Sequence, residues 1–194
     1  MGQPLRRLSL QEFIAWENEQ LERHEFVRGE VFAMVGGRRV HGRASLNVAM
    51  SLGLQLKGSP CQVFSESMKV QVGSDAVCYP DVFVTCDPRD LRTDQVFKSP
   101  TLIVEVLSPS TQAYDRGIKF TLYRALASLR EYLLVDPETR ELQLFRRGDD
   151  GLFTLHDLTG REEVELRSIG CRLMASDIFE GIDLPDHGFT LGDA

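Results

Sequence analysis

The chain has 194 residues, a formal net charge of −7, and 42% apolar against 26% charged residues. That length can bury a core without disulfide staples, and the composition excludes a disordered, collagen-like or low-complexity chain. An acidic balance weighs against a nucleic-acid partner until the placement of the charge is known.

Arg6 and Arg7 are followed by no apolar stretch, so residues 1–10 carry no signal peptide. Arg6 also breaks the myristoylation pattern that Met1-Gly2 would open. No apolar run approaches the ~18 residues of a membrane span. The four cysteines, Cys61, Cys78, Cys86 and Cys171, include no CxxC pair and no histidine at zinc-finger spacing. They read as free, buried, small apolar residues in a reducing compartment, which places the protein in the cytoplasm.

Ser9 and Glu12 form a capping-box pattern, with Leu8 and Phe13 as its hydrophobic staple, and Phe13, Ile14, Glu17 and Leu21 continue at helical spacing. Residues 26–34 read as two strands around Arg28-Gly29. Residues 41–57 read as a helix burying Ala44, Val48, Leu52 and Leu56, ended by Gly58-Ser59-Pro60. Three strands follow, over 61–72, 81–86 and 101–107. The last is continuously apolar, as in a central strand buried on both faces. Ser108-Pro109 breaks it, and residues 115–126 form a helix with Ile118, Leu122 and Leu126 aligned. Strands over 131–136 and 141–146 flank Pro137-Glu138-Thr139, and another is expected near 152–155. The terminal segment carries Ile178, Phe179, Ile182 and Leu184. This order gives an α/β or α+β class with one mixed sheet. One domain is expected over 1–194, with a core at about 8–147 and an acidic extension over 148–194.

Two acids interrupt apolar strands. Glu105 lies inside Leu-Ile-Val-Glu-Val-Leu and shares a face with Ile103 and Leu107. A carboxylate there costs several kcal/mol unless paired or bound to a cation. Asp81 opens the preceding strand, and adjacent strands would set the two carboxylates side by side, a conflict that a divalent cation removes. Alternatively, Asp81 caps a strand and Glu105 pairs with a structural arginine; residue types leave both readings open. With 18 Arg and 4 Lys in the chain, Lys119 also draws notice, one helical turn after Asp115 and one before Tyr123. Its bland reading is a surface Asp115–Lys119 pair worth a few tenths of a kcal/mol.

Tyr79-Pro80-Asp81-Val82, the run Pro100–Thr111 containing Glu-Val-Leu-Ser-Pro-Ser-Thr, Asp115-x3-Lys119-x3-Tyr123 and Glu131–Pro137 together resemble the Uma-type restriction endonuclease family of the PD-(D/E)XK nuclease superfamily. His24–Val31 and His41 extend the resemblance, which covers roughly residues 8–184. It implies a restriction endonuclease-like mixed β-sheet flanked by helices, with Asp81 and Glu105 as metal ligands. The superfamily motif expects lysine two residues after the second acid, where this chain has Leu107. The family resembled moves that lysine to the next helix, which makes Lys119 the candidate. Glu25 and His41 match an early Glu and His, with structural and catalytic roles equally open, and Glu25 could instead pair with Arg28 or Arg38.

The implied chemistry is Mg²⁺- or Mn²⁺-assisted hydrolysis of a phosphodiester in nucleic acid, with DNA the expected substrate. The alternatives are a non-catalytic dimeric nucleic-acid-binding module of the same fold, or a hydrolase of small phosphorylated substrates. A homodimer is expected because symmetric dimers are the commonest oligomers and two sites suit two strands. The charge placement permits this substrate: residues 148–194 hold 3 Arg against 11 acids, while the other 147 are near neutral. Arg38, Arg39 and Arg43 near His41, with Arg116 and Arg124 near Lys119, offer a basic surface.

Overall fold

The computed structural model describes residues 3–34 and 36–183; Leu184 of the predicted terminal segment lies outside them. In chain order the elements are β1 (Arg6–Arg7), α1 (Leu10–Glu17), β2 (His24–Val27), β3 (Glu30–Ala33), α2 (Arg39–Gln55), β4 (Gln62–Ser65), β5 (Lys69–Val72), β6 (Ala76–Cys78) and β7 (Val82–Thr85). There follow β8 (Val96–Phe97), β9 (Pro100–Val106), α3 (Gln112–Tyr114), a π-helical turn (Asp115–Lys119), α4 (Phe120–Tyr123), β10 (Glu131–Val135), β11 (Leu142–Arg147), β12 (Phe153–Asp157), β13 (Glu163–Leu166), β14 (Cys171–Met174) and α5 (Ala175–Ile178).

The capping box is present: Ser9 Oγ accepts from the Glu12 N–H, and Glu12 accepts from the Ser9 N–H at 2.8 Å. It starts α1, whose Phe13 packs with Phe26, Val31 and Val77. The helix stops at Glu17, so Leu21 lies beyond it, fully exposed rather than on its apolar face. Arg28 and Gly29 both have positive φ (49° and 91°), as a two-residue hairpin turn requires, and they join β2 to β3.

Two six-stranded sheets replace the single expected sheet. One has the order β1-β3-β2-β6-β5-β8 and the other β12-β11-β10-β9-β7-β4. The predicted strand over 61–72 is two strands, one in each sheet, divided at Glu66, which takes a positive φ of 45°. A side chain in that conformation ends a ladder. β9 is central, antiparallel to β7 and parallel to β10, and the helical segment 112–123 makes the crossover between the parallel pair. Its Val104 and Val106 face a core shared with Ala44, Val48 and Leu52 of α2. Its Ile103 faces a second core, together with Leu107 just after the strand. The β13–β14 hairpin packs Val164, Leu166, Cys171 and Leu173 into the first core, so residues beyond 147 contribute to it.

The expectation of four free thiols is corrected for two of them. Gln62 pairs with Thr85 across β4 and β7, which brings Cys61 and Cys86 opposite one another in a disulfide, with Cα atoms 4.0 Å apart. Cys78 and Cys171 are free and buried, as expected. Among the described residues, no helix is long and apolar enough to cross a membrane.

Glu131 at the head of β10 is a fully buried acid with a structural task. It accepts from Arg146 Nε at 2.8 Å, from the Ser168 N–H at 3.0 Å and from Ser168 Oγ, tying β10 to β11 and to the turn before β14. Glu131→Ala strands this arginine and these donors and is expected to lower the unfolding free energy by about 3 kcal/mol, read from urea melts. A loss under about 1 kcal/mol would show that the network is not holding the strands together.

Candidate active site

The register of β7 on β9 sets two carboxylates together. Val82 pairs with Val104, so one step further Asp81 stands opposite Glu105. The Val106 N–H donates to Asp81 Oδ2 at 2.7 Å, and His41 Nε2 at the start of α2 lies 3.2 Å from the same oxygen. Gly37 makes room for the histidine: a Cβ there would sit 3.1 Å from His41 Nδ1. Glu105 Oε1 accepts from the Tyr123 hydroxyl at 3.2 Å and lies 3.1 Å from Lys119 Nζ.

Lys119 is the hub. Its ammonium is also 3.1 Å from Glu25 Oε1 and 3.6 Å from Asp115 Oδ1. Glu25 lies on β2 of the first sheet and Glu105 on β9 of the second, so Lys119 bridges the two sheets. The Tyr79 N–H, just after β6, donates to Glu25 Oε1 at 3.2 Å. Lys119 is 6% exposed, which corrects the reading of an Asp115–Lys119 surface pair. Glu25 pairs with this lysine rather than with Arg28 or Arg38; Arg38 instead pairs with Glu138.

Four carboxylates, Asp81, Glu105, Glu25 and Asp115, converge on one lysine and one histidine. Burial pushes Glu105 well above the usual carboxylate range; Lys119 opposes this, while Asp81, Asp115 and Glu25 add to it. Asp115 is raised for the same first reason, burial. Burial works against the Lys119 ammonium, but Glu105, Glu25 and Asp115 outweigh it and hold the proton well above the ordinary lysine value. For His41, burial is likewise outweighed by Asp81, so the imidazolium is favoured. The cluster sets four acids against two bases, an excess that protons or a bound cation relieves.

The donors fit a hard divalent ion. The contacts of Asp81 fall on Oδ2 and those of Glu105 on Oε1, leaving Oδ1 and Oε2 for a cation. Among the described residues, no group of three or more His, Cys, Asp or Glu side chains is arranged to hold a metal ion. Mg²⁺ accepts one or two carboxylates and takes its other ligands from water and substrate phosphate. The Asp81 side chain is 16% exposed and that of Glu105 2%, so Asp81 and His41 form the rim while Glu105 and Lys119 form the floor.

All seven residues singled out in the sequence, Asp81, Glu105, Lys119, Glu25, His41, Asp115 and Tyr123, meet here. The predicted helix over 115–126 starts earlier, with α3, and within its range consists of the π turn and then α4, which ends at Tyr123; Ile118 is 50% exposed instead of buried in line with Leu122. The π turn accounts for both: it shifts the helix phase and sends Asp115 and Lys119 inward. Sequence reasoning missed Tyr114, whose ring centroid is 5.6 Å from Lys119 Nζ. Positions five apart do not face each other on an α-helix, so only the π turn reveals the pair. Part of the proposed basic surface is already paired, Arg38 with Glu138, Arg43 with Glu180 and Arg116 with Glu141.

A crystal structure titled as a putative nuclease belonging to DUF820, from Anabaena variabilis, superposes with a TM-score of 0.73 at 18% identity, covering 89% of this chain and 97% of that one. The chain belongs to the Uma2 family, described as "Putative restriction endonuclease", which matches residues 10–176. Two relatives from Synechocystis sp. are similar along most of their length. The uncharacterized protein slr1290 is 39% identical, covering 92% of this chain and 95% of its own, and the uncharacterized protein sll1609 is 30% identical, covering 81% and 92%.

Proposed function

We propose that the protein is a divalent-metal-dependent endonuclease that hydrolyses phosphodiester bonds in nucleic acid, with DNA as substrate and Mg²⁺ or Mn²⁺ as cofactor. One observation carries the reading: three carboxylates, Glu25, Glu105 and Asp115, surround a single buried lysine, Asp81 stands opposite Glu105 on the next strand, and Asp81 and Glu105 each keep an oxygen free. Family membership supports it. Asp81 and Glu105 would hold the cation, which when bound supplies an acidified water and charge neutralisation on the phosphate.

The protein's own groups do the rest. His41 orients Asp81 at the rim, and Asp81 in turn shifts the imidazole toward its protonated form there. Lys119, held protonated by three carboxylates, positions the attacking water or offsets negative charge as it develops. Tyr123 fixes the Glu105 carboxylate by its hydrogen bond. Binding should fall steeply with salt, because phosphate contacts release counterions. Two copies of the chain would set one site on each strand, which sedimentation checks.

The test is incubation of the wild-type protein with supercoiled plasmid, single-stranded DNA and RNA, in Mg²⁺, Mn²⁺ or a chelator. Metal-dependent nicking or linearisation of the plasmid is expected. No cleavage of any substrate in either metal would favour the non-catalytic binding module.

A further inference from the structure

Glu17 is a buried acid outside the carboxylate cluster. It is the last residue of α1, where the helix dipole disfavours negative charge, and its side chain is 2% exposed. Both features cost stability, so a carboxylate here needs its donors. Its Oε1 accepts from the His24 N–H at 2.9 Å and from the Tyr79 hydroxyl at 2.8 Å, and its Oε2 lies 3.0 Å from His24 Nδ1. Each donor on Oε1 is close in sequence to a site acid. His24 directly precedes Glu25, and Tyr79 precedes Asp81 by two residues. The Tyr79 N–H also donates to Glu25 Oε1 at 3.2 Å, the oxygen that lies 3.1 Å from Lys119 Nζ. Tyr79-Pro80-Asp81 is the whole connection between β6 in the first sheet and β7 in the second. Its far end is tied to the second sheet and the loop after β4, by the Val106 N–H on Asp81 Oδ2 at 2.7 Å and the Glu66 N–H on the Asp81 carbonyl at 3.1 Å. Its near end is tied by Tyr79 to Glu17 and Glu25, and Pro80, whose ring fixes φ, joins the two ends stiffly.

Resting on the cation site proposed above, we propose that Glu17 and Tyr79 are positioning residues: the Glu17 carboxylate pins the Tyr79 side chain and so fixes where Asp81 presents its oxygens to a divalent ion. Neither residue touches the ion or the substrate. Ligand oxygens must be held to about half an ångström, and a three-residue connection between two sheets keeps that precision only when both of its ends are anchored. The same carboxylate holds the backbone next to Glu25, so one buried acid on α1 steadies two acids of the site.

Tyr79→Phe removes the hydroxyl alone. It keeps the ring that Arg23 and Lys69 approach at 5.9 and 5.8 Å, and it leaves Glu17 with both of its His24 contacts. Mn²⁺ titrations by calorimetry, with urea melts beside them, compare the wild type with Tyr79→Phe, Glu17→Gln and Glu131→Ala. Tyr79→Phe is expected to weaken Mn²⁺ binding about tenfold, the low end for partners outside the ligand shell. Glu17→Gln keeps an oxygen that accepts from both Tyr79 and His24, and should bind Mn²⁺ as the wild type does. Glu131→Ala, destabilised away from the site, should also keep its Mn²⁺ affinity. A wild-type isotherm in Tyr79→Phe, whatever its urea midpoint, would overturn the inference and leave the cation site standing. An equal weakening in Glu131→Ala would also overturn it, because general loosening would then explain the loss. So would an equal weakening in Glu17→Gln, since the hydrogen bond itself would not be what holds Asp81. A wild-type protein that binds no Mn²⁺ would instead overturn the cation site, and this role with it.

Discussion

Lys119→Met is expected to abolish cleavage and to make stability strongly pH-dependent. The substitution leaves Glu25, Glu105 and Asp115 buried around an apolar side chain. Removing one partner of a buried pair costs about 3–5 kcal/mol, so a loss of about 3 kcal/mol is expected at pH 8. The carboxylates can escape this by taking up protons. Glu105 and Asp115 are already raised by burial with Lys119 opposing, and its removal raises them further. A carboxylate raised in the folded state binds more protons folded than unfolded, so its stability falls as pH rises. The variant should therefore recover much of its deficit between pH 8 and acid pH, read from urea melts across that range. A pH-independent loss, or none, would show that Lys119 does not neutralise the cluster.

Glu105→Gln is expected to do the reverse. It removes one of four negative charges while keeping the shape and the oxygen that accepts from Tyr123. Stability should hold or rise at neutral pH, since burial and three neighbouring acids already disfavour that charge. Cleavage should nevertheless fall by about a thousandfold, the scale of losing a group that stabilises transition-state charge. Glu131 makes the contrast. It is equally buried, but an arginine and several donors converge on it alone, so its loss should cost stability. Two buried acids on neighbouring strands thus answer in opposite ways, and the pattern separates a site from a strut. A Glu105→Gln protein that cleaves at the wild-type rate would remove Glu105 from the site.

The acid pair was legible because Asp81 and Glu105 interrupt apolar strands, and because strand order set those strands side by side. Lys119 was legible through its spacing from Asp115 and Tyr123 and through the family pattern, although spacing alone favoured a surface pair. Its burial comes from the π turn, which no residue pattern announces and which also hid Tyr114 and misplaced Ile118. The division into two sheets was not legible, since it depends on the conformation of Glu66 inside an apparently continuous strand. The disulfide joins cysteines 25 residues apart, and only the β4–β7 register brings them together. That bond also removes the support that four free thiols lent to a cytoplasmic placement. The β13–β14 hairpin escaped notice because Val164, Leu166, Cys171 and Leu173 alternate with exposed charged or flexible residues within an acid-rich stretch. The net charge of −7 proved uninformative about the site, where charge is decided by burial and by which arginines are already paired.

The most direct test of the cation-binding site is a calorimetric Mn²⁺ titration of the wild-type protein beside Asp81→Asn and Glu105→Gln. Saturable binding in the wild type that is lost or strongly weakened in both variants is the result expected of carboxylates that share one ion. Three superimposable isotherms, or no binding in any of the proteins, would contradict a metal site between β7 and β9.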